Sequence, residues 1–304
     1  MLVYNVNIRG LLKNWNMFKK QIENKKPDII TLQEVFTKKL MFLKNYKLFY
    51  KHRSFYKGGG LCTYVRKNLY SYATKFHMDN NINDKNFEIL VVKIKKVGKS
   101  ELKIINIYIN PKCNANISDM FKEMDINNDT LILGDFNSKY PEWCLSGKTN
   151  KKGIILSKVI ENNDLTIHNK KIKTLINNFG ESSTVDLVIT KRISSISIDR
   201  VVSINDIGSD HIPILCQVSC DVSEIKKTYY NYKKIKINKF ICMLKSHLLY
   251  FCILSYIYKD PNKFYNAFCN IYLKCQNDCV PKKVCLIAVI KIVTFGEMRK
   301  LRLI

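Results

Sequence analysis

The sequence predicts an α/β (α+β) protein in which two β-sheets pack face to face and helices cover their outer surfaces. Three observations support this prediction. Short apolar runs alternate with polar turns along the first 220 residues, few segments have a helical period, and hydrophobic residues make up 46% of the 304-residue chain. Many strands with few helices favour sheets that pack on one another over a helical bundle.

The first 110 residues predict five strands and one helix. "LVYNVN" alternates as a strand does, and "LLKNWNMFKKQIEN" has a helical apolar period that ends before Pro27. "DIITLQE" is a second strand, which ends on Glu34. The remaining strands are "GGGLCTYVRKN", entered through three glycines, and "FEILVVKIKK" with "ELKIINIYINP", which form a pair around a turn at Gly98.

The next segments predict a short helix near 116–125, a strand in "LILGDFN" and a helix near 151–162. Three more strands follow, in "STVDLVIT", "ISSISIDRVV" and "DHIPILCQVS". Near residue 222 the composition changes to the basic and aromatic "KKTYYNYKKIKINKF", and helical patterns continue to about residue 283. The predicted organisation is one domain over 1–221, a basic helical region over 222–283 and an unassigned tail over 284–304.

The charge of the chain predicts a polyanionic partner. Lys and Arg number 51 against 25 Asp and Glu, which gives a formal net charge of +26. Nucleic acid is the first candidate partner and an acidic membrane the second. The alternative is compositional, because a chain rich in Lys, Asn, Ile and Tyr is what an AT-rich gene would encode.

The sequence indicates an intracellular protein. "MLVYNVNIRG" reads as a strand and not as a signal peptide, and the scattered cysteines fit reduced thiols. The apolar segment 240–258 is about long enough to span a membrane, but it contains Lys245 and His247. We therefore expect a nuclear or cytoplasmic protein that is neither secreted nor bound to a membrane.

Polar residues stand where the predicted strands finish. They are Asn5, Asn7, Glu34, Asn106, Tyr108, Asp135, Asn137, Asp186, Asp210 and His211. Their side chains fall into two chemical groups: hard oxygen ligands that suit Mg²⁺, and acid–base groups that suit a phosphate ester and its attacking water. Since no Ser or Cys has a base partner nearby in the sequence, direct attack by water is favoured over a covalent intermediate.

Seven segments, in this order, resemble the endonuclease/exonuclease/phosphatase superfamily: "YNVNIRGL", "PDIITLQE", "GGGLCTYVRKN", "INIYINP", "LILGDFN", "STVDLVIT" and "IGSDHIPI". Together they cover about residues 1–218. The resemblance implies a four-layer sandwich of two mainly antiparallel sheets flanked by helices. It also implies Mg²⁺-dependent phosphodiester hydrolysis, with Mn²⁺ as a substitute ion and no small-molecule cofactor.

The resemblance also implies which residues hold the metal. Glu34 looks like the principal ligand, with Asn5, Asn7 and Asp210 beside it. Asn7 stands where repair enzymes of the superfamily carry an acid, so metal binding is expected to be weaker or altered.

The same comparison implies the groups that act on the phosphate. Asp135 matches the aspartate that activates the attacking water, and Asn137 matches the residue that holds the scissile phosphate. His211, oriented by Asp186, looks like the phosphate-contacting or base histidine, and Tyr108 matches a phosphate-side tyrosine. Which of Asp135 and His211 removes the proton is left open.

The segment after the central strand indicates the branch of the superfamily. "NIYINPK" lacks the second histidine of secreted nucleases and lipid phosphatases, which brings the chain closer to apurinic/apyrimidinic endonucleases and to endonuclease domains of non-LTR retrotransposons. The glycine-led strand and Trp143 resemble the retrotransposon domains. Residues 222–283 resemble the basic connector that precedes a reverse transcriptase, and no polymerase motif occurs in the chain. The chain therefore looks like a copy truncated before the reverse transcriptase.

The sequence thus predicts a Mg²⁺-dependent DNA endonuclease that nicks its target by water attack. Arg53, Lys57, Arg66 and Lys67 are expected to contact backbone phosphates of DNA. One alternative is a repair endonuclease for abasic sites. An alternative of another class is a catalytically inactive DNA-binding relic of a retroelement.

Overall fold

The computed structural model describes residues 1–53, 58–74, 87–96, 100–112, 117–220, 226–257 and 260–286. These residues form two compact units, one within Met1–Glu224 and the other within Ile225–Ala288. The predicted turn at Gly98 and most of the predicted tail lie outside the described residues. The sequence-based domain boundaries stay predictions.

The first unit consists mainly of strands. Its three helices are α1 (Leu11–Lys25), α2 (Ile117–Glu123) and α3 (Lys151–Asn162). Its strands are β1 (Leu2–Asn7), β2 (Ile29–Gln33), β3 (Tyr46–Lys51), β4 (Leu61–Arg66), β5 (Ser71–Thr74), β6 (Phe87–Lys95), β7 (Glu101–Ile109), β8 (Thr130–Asp135), β9 (Leu165–Ile167), β10 (Leu175–Ile176), β11 (Ser182–Ser183), β12 (Asp186–Lys191), β13 (Ser197–Ser203) and β14 (Ile214–Ser219).

The strands build two six-stranded sheets. The first has the order β13-β14-β1-β2-β4-β3, and the second has the order β5-β6-β7-β8-β12-β9. Pairing is antiparallel except for β1 with β2 and β7 with β8. Strands β10 and β11 form a separate short hairpin. The predicted fold class is confirmed, although the sequence analysis missed β3, β5, β9, β10 and β11.

Three apolar clusters define four layers. One cluster joins the inner faces of the two sheets, through residues such as Val3 on β1 and Leu133 on β8. A second joins α1 to the outer face of the first sheet, with Phe18 among its fully buried side chains. A third joins α2 and α3 to the outer face of the second sheet. Each helix is therefore held by the apolar face that its sequence period predicts.

The inner faces change from apolar to polar along the strands. On β1 the inward positions run from Val3 through Asn5 to Asn7, and all three are buried. On β7 the inward positions run from Ile104 through Asn106 to Tyr108 in the same sense. The polar ends of both sheets meet at one edge of the sandwich, because Asn7 at the end of β1 hydrogen-bonds Asp135 at the end of β8, which lies opposite Tyr108 on β7.

Gly134 explains why the strand before Asp135 contains a glycine. A Cβ atom at this position would lie 1.9 Å from the carbonyl oxygen of Ile107 on the paired strand β7. Only a residue without a side chain permits this approach of the two backbones.

The second unit is not purely helical. It contains β15 (Lys226–Tyr230), a 3₁₀ turn (Tyr232–Lys234), α4 (Ile237–Ile257), α5 (Pro261–Cys279) and β16 (Lys282–Leu286). Strands β15 and β16 pair with each other in antiparallel fashion, which corrects the expectation of helices alone. Asp260 caps α5 by accepting a hydrogen bond from the Asn262 amide. Among the described residues, no helix has the length and apolarity to cross a membrane.

Candidate active site

Three predicted site residues lie in one row across the second sheet. Tyr108 on β7 is directly opposite Asp135 on β8, and Asp135 is directly opposite Asp186 on β12. Neighbouring strands in a sheet are about 4.8 Å apart, so the three side chains project side by side. All three are buried, which places two carboxyl groups and a phenol in a largely water-free position.

Asn7 connects this row to the first sheet. Its amide nitrogen donates to Glu34 Oε1 at 2.7 Å and to Asp135 Oδ2 at 2.9 Å. Its amide oxygen accepts a hydrogen bond from the Arg9 backbone at 3.2 Å. Asn7 thus presents hydrogen-bond donors to the carboxylates, whereas the sequence analysis expected a metal-ligating oxygen.

Glu34 is held in an unusual backbone conformation. Its φ angle is 49°, in the left-handed region that non-glycine residues seldom adopt. Its carbonyl oxygen accepts a hydrogen bond from the Gly10 amide at 2.8 Å. Burial raises the pKa of Tyr108, and the charges of the nearby Glu34 and Asp135 carboxylates raise it further. The phenol therefore stays protonated and available as a donor.

His211 lies between the two aspartates. Its Nδ1 is 2.9 Å from Asp186 Oδ2, and its Nε2 is 3.8 Å from Asp135 Oδ2 without any hydrogen-bond partner. Burial alone would lower the pKa of His211, but the carboxylates of Asp186 and Asp135 outweigh it and raise the pKa to about 9. The imidazole is therefore a cation at neutral pH, with one N–H free to bind an anion.

The pKa of Asp135 is also raised, but by a different cause. Burial raises the pKa of Asp135 to about 7, against the opposing charge of His211 and with a contribution from Asp186. Its Oδ1 accepts from the Asn137 backbone amide at 2.9 Å, and its Oδ2 accepts from the Asn137 side chain at 3.0 Å. A carboxyl group with a pKa near neutrality is suited to accept and release a proton.

Asn5 is buried but faces the interior of the sandwich. Its amide oxygen accepts from Thr31 at 2.8 Å and from Gln33 at 2.9 Å, while its amide nitrogen has no partner. Gln33 also donates to Asn106 on the other sheet, at 2.7 Å. The structure thus places Asn5 in a polar network beneath the site, with its oxygen already engaged.

Asp210 stands at the solvent side of the site. Its Oδ1 lies 2.9 Å from Arg9 Nε, and its side chain is 34% exposed. Ser209, next to it, donates to the Asn7 backbone carbonyl at 2.8 Å. Arg9, whose φ is 42°, is a site residue that the sequence analysis missed.

The donor set of the site fits a divalent cation. Four carboxylates, those of Glu34, Asp135, Asp186 and Asp210, face two cationic side chains, Arg9 and His211, so negative charge is in excess. Among the described residues, the group whose ligand atoms lie within 4.8 Å of one another is Asp135, Asp186 and His211. Asp186 Oδ1 in that group is buried without a partner. The sequence analysis had assigned these three residues to acid–base chemistry. It had assigned the metal to Glu34, with Asn5, Asn7 and Asp210 beside it.

The expected DNA-contacting residues are not all near the site. Arg53 is paired with the buried carboxylate of Glu88, its Nε at 2.8 Å from Oε1, and its guanidinium carbon lies 5.6 Å from the centre of the Tyr108 ring. Arg66 ends β4 and Lys67 follows it, about 16 Å of strand away from Glu34. Lys57 lies outside the described residues.

Glu88 is a second residue that the sequence analysis missed. Its Oε2 accepts a hydrogen bond from the Gly60 amide at 2.6 Å, which ties the glycine-led strand to the second sheet. Burial raises the pKa of Glu88, and the Arg53 charge opposes that shift. The sequence does contain a signal for Glu88, because it is a charged residue inside the apolar run "FEILVV".

Part of the sequence matches a known protein family. The sequence model of the endonuclease–reverse transcriptase family matches residues 102–215. None of the curated proteins compared matches the chain.

Several solved structures share the fold. The endonuclease domain of TRAS1, a telomere-specific non-LTR retrotransposon, is 16% identical with a TM-score of 0.56, over 71% of this chain and 96% of that one. The AP endonuclease LMAP from Leishmania major is 13% identical with a TM-score of 0.54, over 71% of this chain and 86% of that one. The catalytic domain of Xenopus laevis APE2 is 15% identical with a TM-score of 0.54, over 75% of this chain and 94% of that one. The first unit thus has the fold of these endonucleases, and residues 102–215 within it match the endonuclease–reverse transcriptase family.

Proposed function

We propose that the first unit is a metal-dependent DNA endonuclease that nicks one strand by water attack and leaves a 3′-hydroxyl. The observation that carries the proposal is the His211–Asp186 pair beside Asp135, joined through Asn7 to Glu34. These contacts put a proton acceptor and a cationic donor within 3.8 Å of each other. Both groups accelerate in-line hydrolysis of a phosphodiester, one by taking a proton from the water and one by stabilising the developing negative charge.

In this proposal Asp135 is the general base and His211 is the electrostatic partner of the phosphate. The raised pKa of Asp135 makes it a stronger base than an ordinary carboxylate. His211 is held protonated by Asp186, and its free Nε2–H would donate to a non-bridging phosphate oxygen. Tyr108 would supply a further donor beside Asp135, Asn137 would exchange a donor from Asp135 to the scissile phosphate, and Asn7 keeps the two carboxylates in place.

We propose that Glu34 and Asp210 hold the metal, with Mg²⁺ as the physiological ion and Mn²⁺ as a substitute. Both present carboxylate oxygens, which Mg²⁺ prefers. When bound, the ion would neutralise charge on the phosphate and polarise it. Asp210 would exchange its contact with Arg9 for the ion, and Arg9 would then be available to the substrate.

The proposed substrate is DNA, and the proposed source of the domain is a non-LTR retrotransposon. The net charge of +26 and the likeness to the TRAS1 endonuclease domain support this choice. In the parent element a reverse transcriptase would follow, and the protein would act in the nucleus. Abasic-site repair is the second candidate, because AP endonucleases share the fold at similar scores.

The test is nicking of supercoiled plasmid in Mg²⁺. The wild type should produce relaxed circles, and Asp135→Asn or His211→Gln should lower the rate of nicking about 10²–10⁴-fold. Glu181→Gln removes an exposed carboxylate whose side chain is 55% accessible and serves as the control. Nicking that requires abasic sites in the plasmid would favour repair. Salt-sensitive DNA binding without nicking would contradict the proposal and support the inactive relic.

A further inference from the structure

Phe36 is an exposed aromatic residue in a strained conformation beside the site. It follows Glu34 by two residues, its φ angle is 53°, and 46% of its surface is exposed. A bulky residue with positive φ is uncommon, and such strain occurs most often where function requires it. Burial does not explain the position, because nearly half of the ring faces solvent.

The backbone around Phe36 is fixed on both sides by glycine turns. The Phe36 amide donates to the Gly59 carbonyl at 2.9 Å, and the Val35 amide donates to the Gly60 carbonyl at 3.1 Å. On the other side, the Val35 carbonyl accepts from the Leu11 amide at 2.9 Å. The segment is therefore rigid where it leaves Glu34.

The ring lies between two glycines. A Cβ atom at Gly58 would be 3.5 Å from the Phe36 ring, and one at Gly10 would be 3.8 Å from it. Both glycines have positive φ, so their turns bring backbone alongside the ring. Arg9, next to Gly10, adds a positive charge on the same rim of the site.

We propose that Phe36 stacks on a nucleobase that flanks the scissile phosphate. The inference rests on the proposed function, since it takes the phosphate to bind near Glu34 and His211. A rigid, exposed aromatic ring beside the groups that bind a backbone phosphate, here Arg9 and His211, is the arrangement by which proteins hold splayed or single-stranded bases. Stacking of this kind is tolerant of base identity, so Phe36 would position the strand without setting its sequence.

The kinetic test compares Phe36→Leu, Phe36→Trp and Tyr70→Leu in the nicking reaction. Tyr70 is 45% exposed and directly precedes β5, the edge strand of the second sheet, where its carbonyl accepts from the Lys95 amide. Phe36→Leu should raise KM about 5- to 100-fold, the range expected for one base stack, with a smaller change in kcat. Phe36→Trp should keep a wild-type KM, and so should Tyr70→Leu.

A binding test separates this inference from the proposed function. Phe36→Trp and Tyr70→Trp are each mixed with duplex and single-stranded oligonucleotides without metal, and the emission of the introduced indole is followed. Quenching at position 36 and not at position 70 would support stacking, even if no nicking occurs. Nicking by the wild type with no quenching at position 36 and an unchanged KM in Phe36→Leu would overturn the inference and leave the proposed function intact.

Discussion

Asp135 and Asp186 occupy directly opposed positions on the paired strands β8 and β12, and both carboxylates face His211. Two buried carboxylates at this spacing repel each other, and the imidazolium between them relieves the repulsion. The pairing of the strands thus determines the protonation of the site. This relationship makes the site sensitive to pH in a way that can be measured.

The stability of the domain should depend on the proton of His211. Because the pKa of His211 is raised from 6.5 to about 9, its contribution is fully present below pH 6.5 and is lost as the pH rises to about 9. We expect the free energy of unfolding in urea, in metal-free buffer, to fall by up to about 3 kcal/mol over that interval. His211→Gln should abolish this dependence.

His168→Gln is the matched control for that measurement. His168 is a partly buried histidine that contacts Thr190 at 2.8 Å, and burial lowers its pKa. Its replacement should leave the decline between pH 6.5 and 9 unchanged. If the free energy of unfolding fell equally with pH in the wild type and in His211→Gln, the pH dependence could not be assigned to the proton of His211.

The rate of nicking should depend on the proton of Asp135. A general base must be unprotonated, so a pKa of about 7 predicts that kcat/KM rises about tenfold per pH unit below pH 7 and then levels off. Asp135→Asn should reduce the rate about 10²–10⁴-fold and remove the dependence. A wild-type profile that is flat from pH 5 to 7 would exclude Asp135 as the base.

Replacing Asn7 should uncouple the two sheets at the site. Asn7→Ala leaves the buried oxygens Glu34 Oε1 and Asp135 Oδ2 without one donor each, at a cost of about 1–3 kcal/mol in the free energy of unfolding. Asn7→Asp puts a third carboxylate between them and should destabilise the metal-free protein further. Thermal unfolding with and without Mg²⁺ tests this, since added Mg²⁺ should recover more stability in Asn7→Asp than in Asn7→Ala.

The ion pair between Arg53 and Glu88 should matter more for stability than an exposed pair does. Glu88 is 4% exposed and Arg53 15% exposed, so Glu88→Gln leaves a buried guanidinium without its counterion, at a cost of about 3–5 kcal/mol. Glu181→Gln, which breaks the exposed pair with Lys148, should leave the free energy of unfolding nearly unchanged, because solvent screens that pair. Urea unfolding of both variants measures these costs. Equal losses in the free energy of unfolding would contradict a structural role for Glu88.

The main elements of the fold could be predicted from the sequence because their apolar periods are long. The helix at Lys151–Asn162 and the strand at Leu2–Asn7 lie where the pattern placed them. Strands of two to four residues, such as Leu175–Ile176, are too short to show a period. β3 is an edge strand with exposed polar positions, so its apolar signal is weak.

The site could be predicted in part for a similar reason. Residues at the ends of paired strands gather at one edge, which brought Asp135, Asp186 and Tyr108 together. A sequence gives no information about which oxygen of a side chain is already engaged, as in Asn5. Nor does the charge of Arg66 tell which edge of a sheet it occupies.

The row formed by Tyr108, Asp135 and Asp186 has a consequence for how such a domain can change over generations. The spacing of the three side chains is fixed by main-chain hydrogen bonds, so no substitution in a loop can move one relative to the others. The surrounding turns are free to acquire new residues and so to redirect the enzyme to new targets. A change of residue within the row, by contrast, would remove a reacting group that no loop can replace, and a single plasmid assay on a diverged copy would reveal the loss.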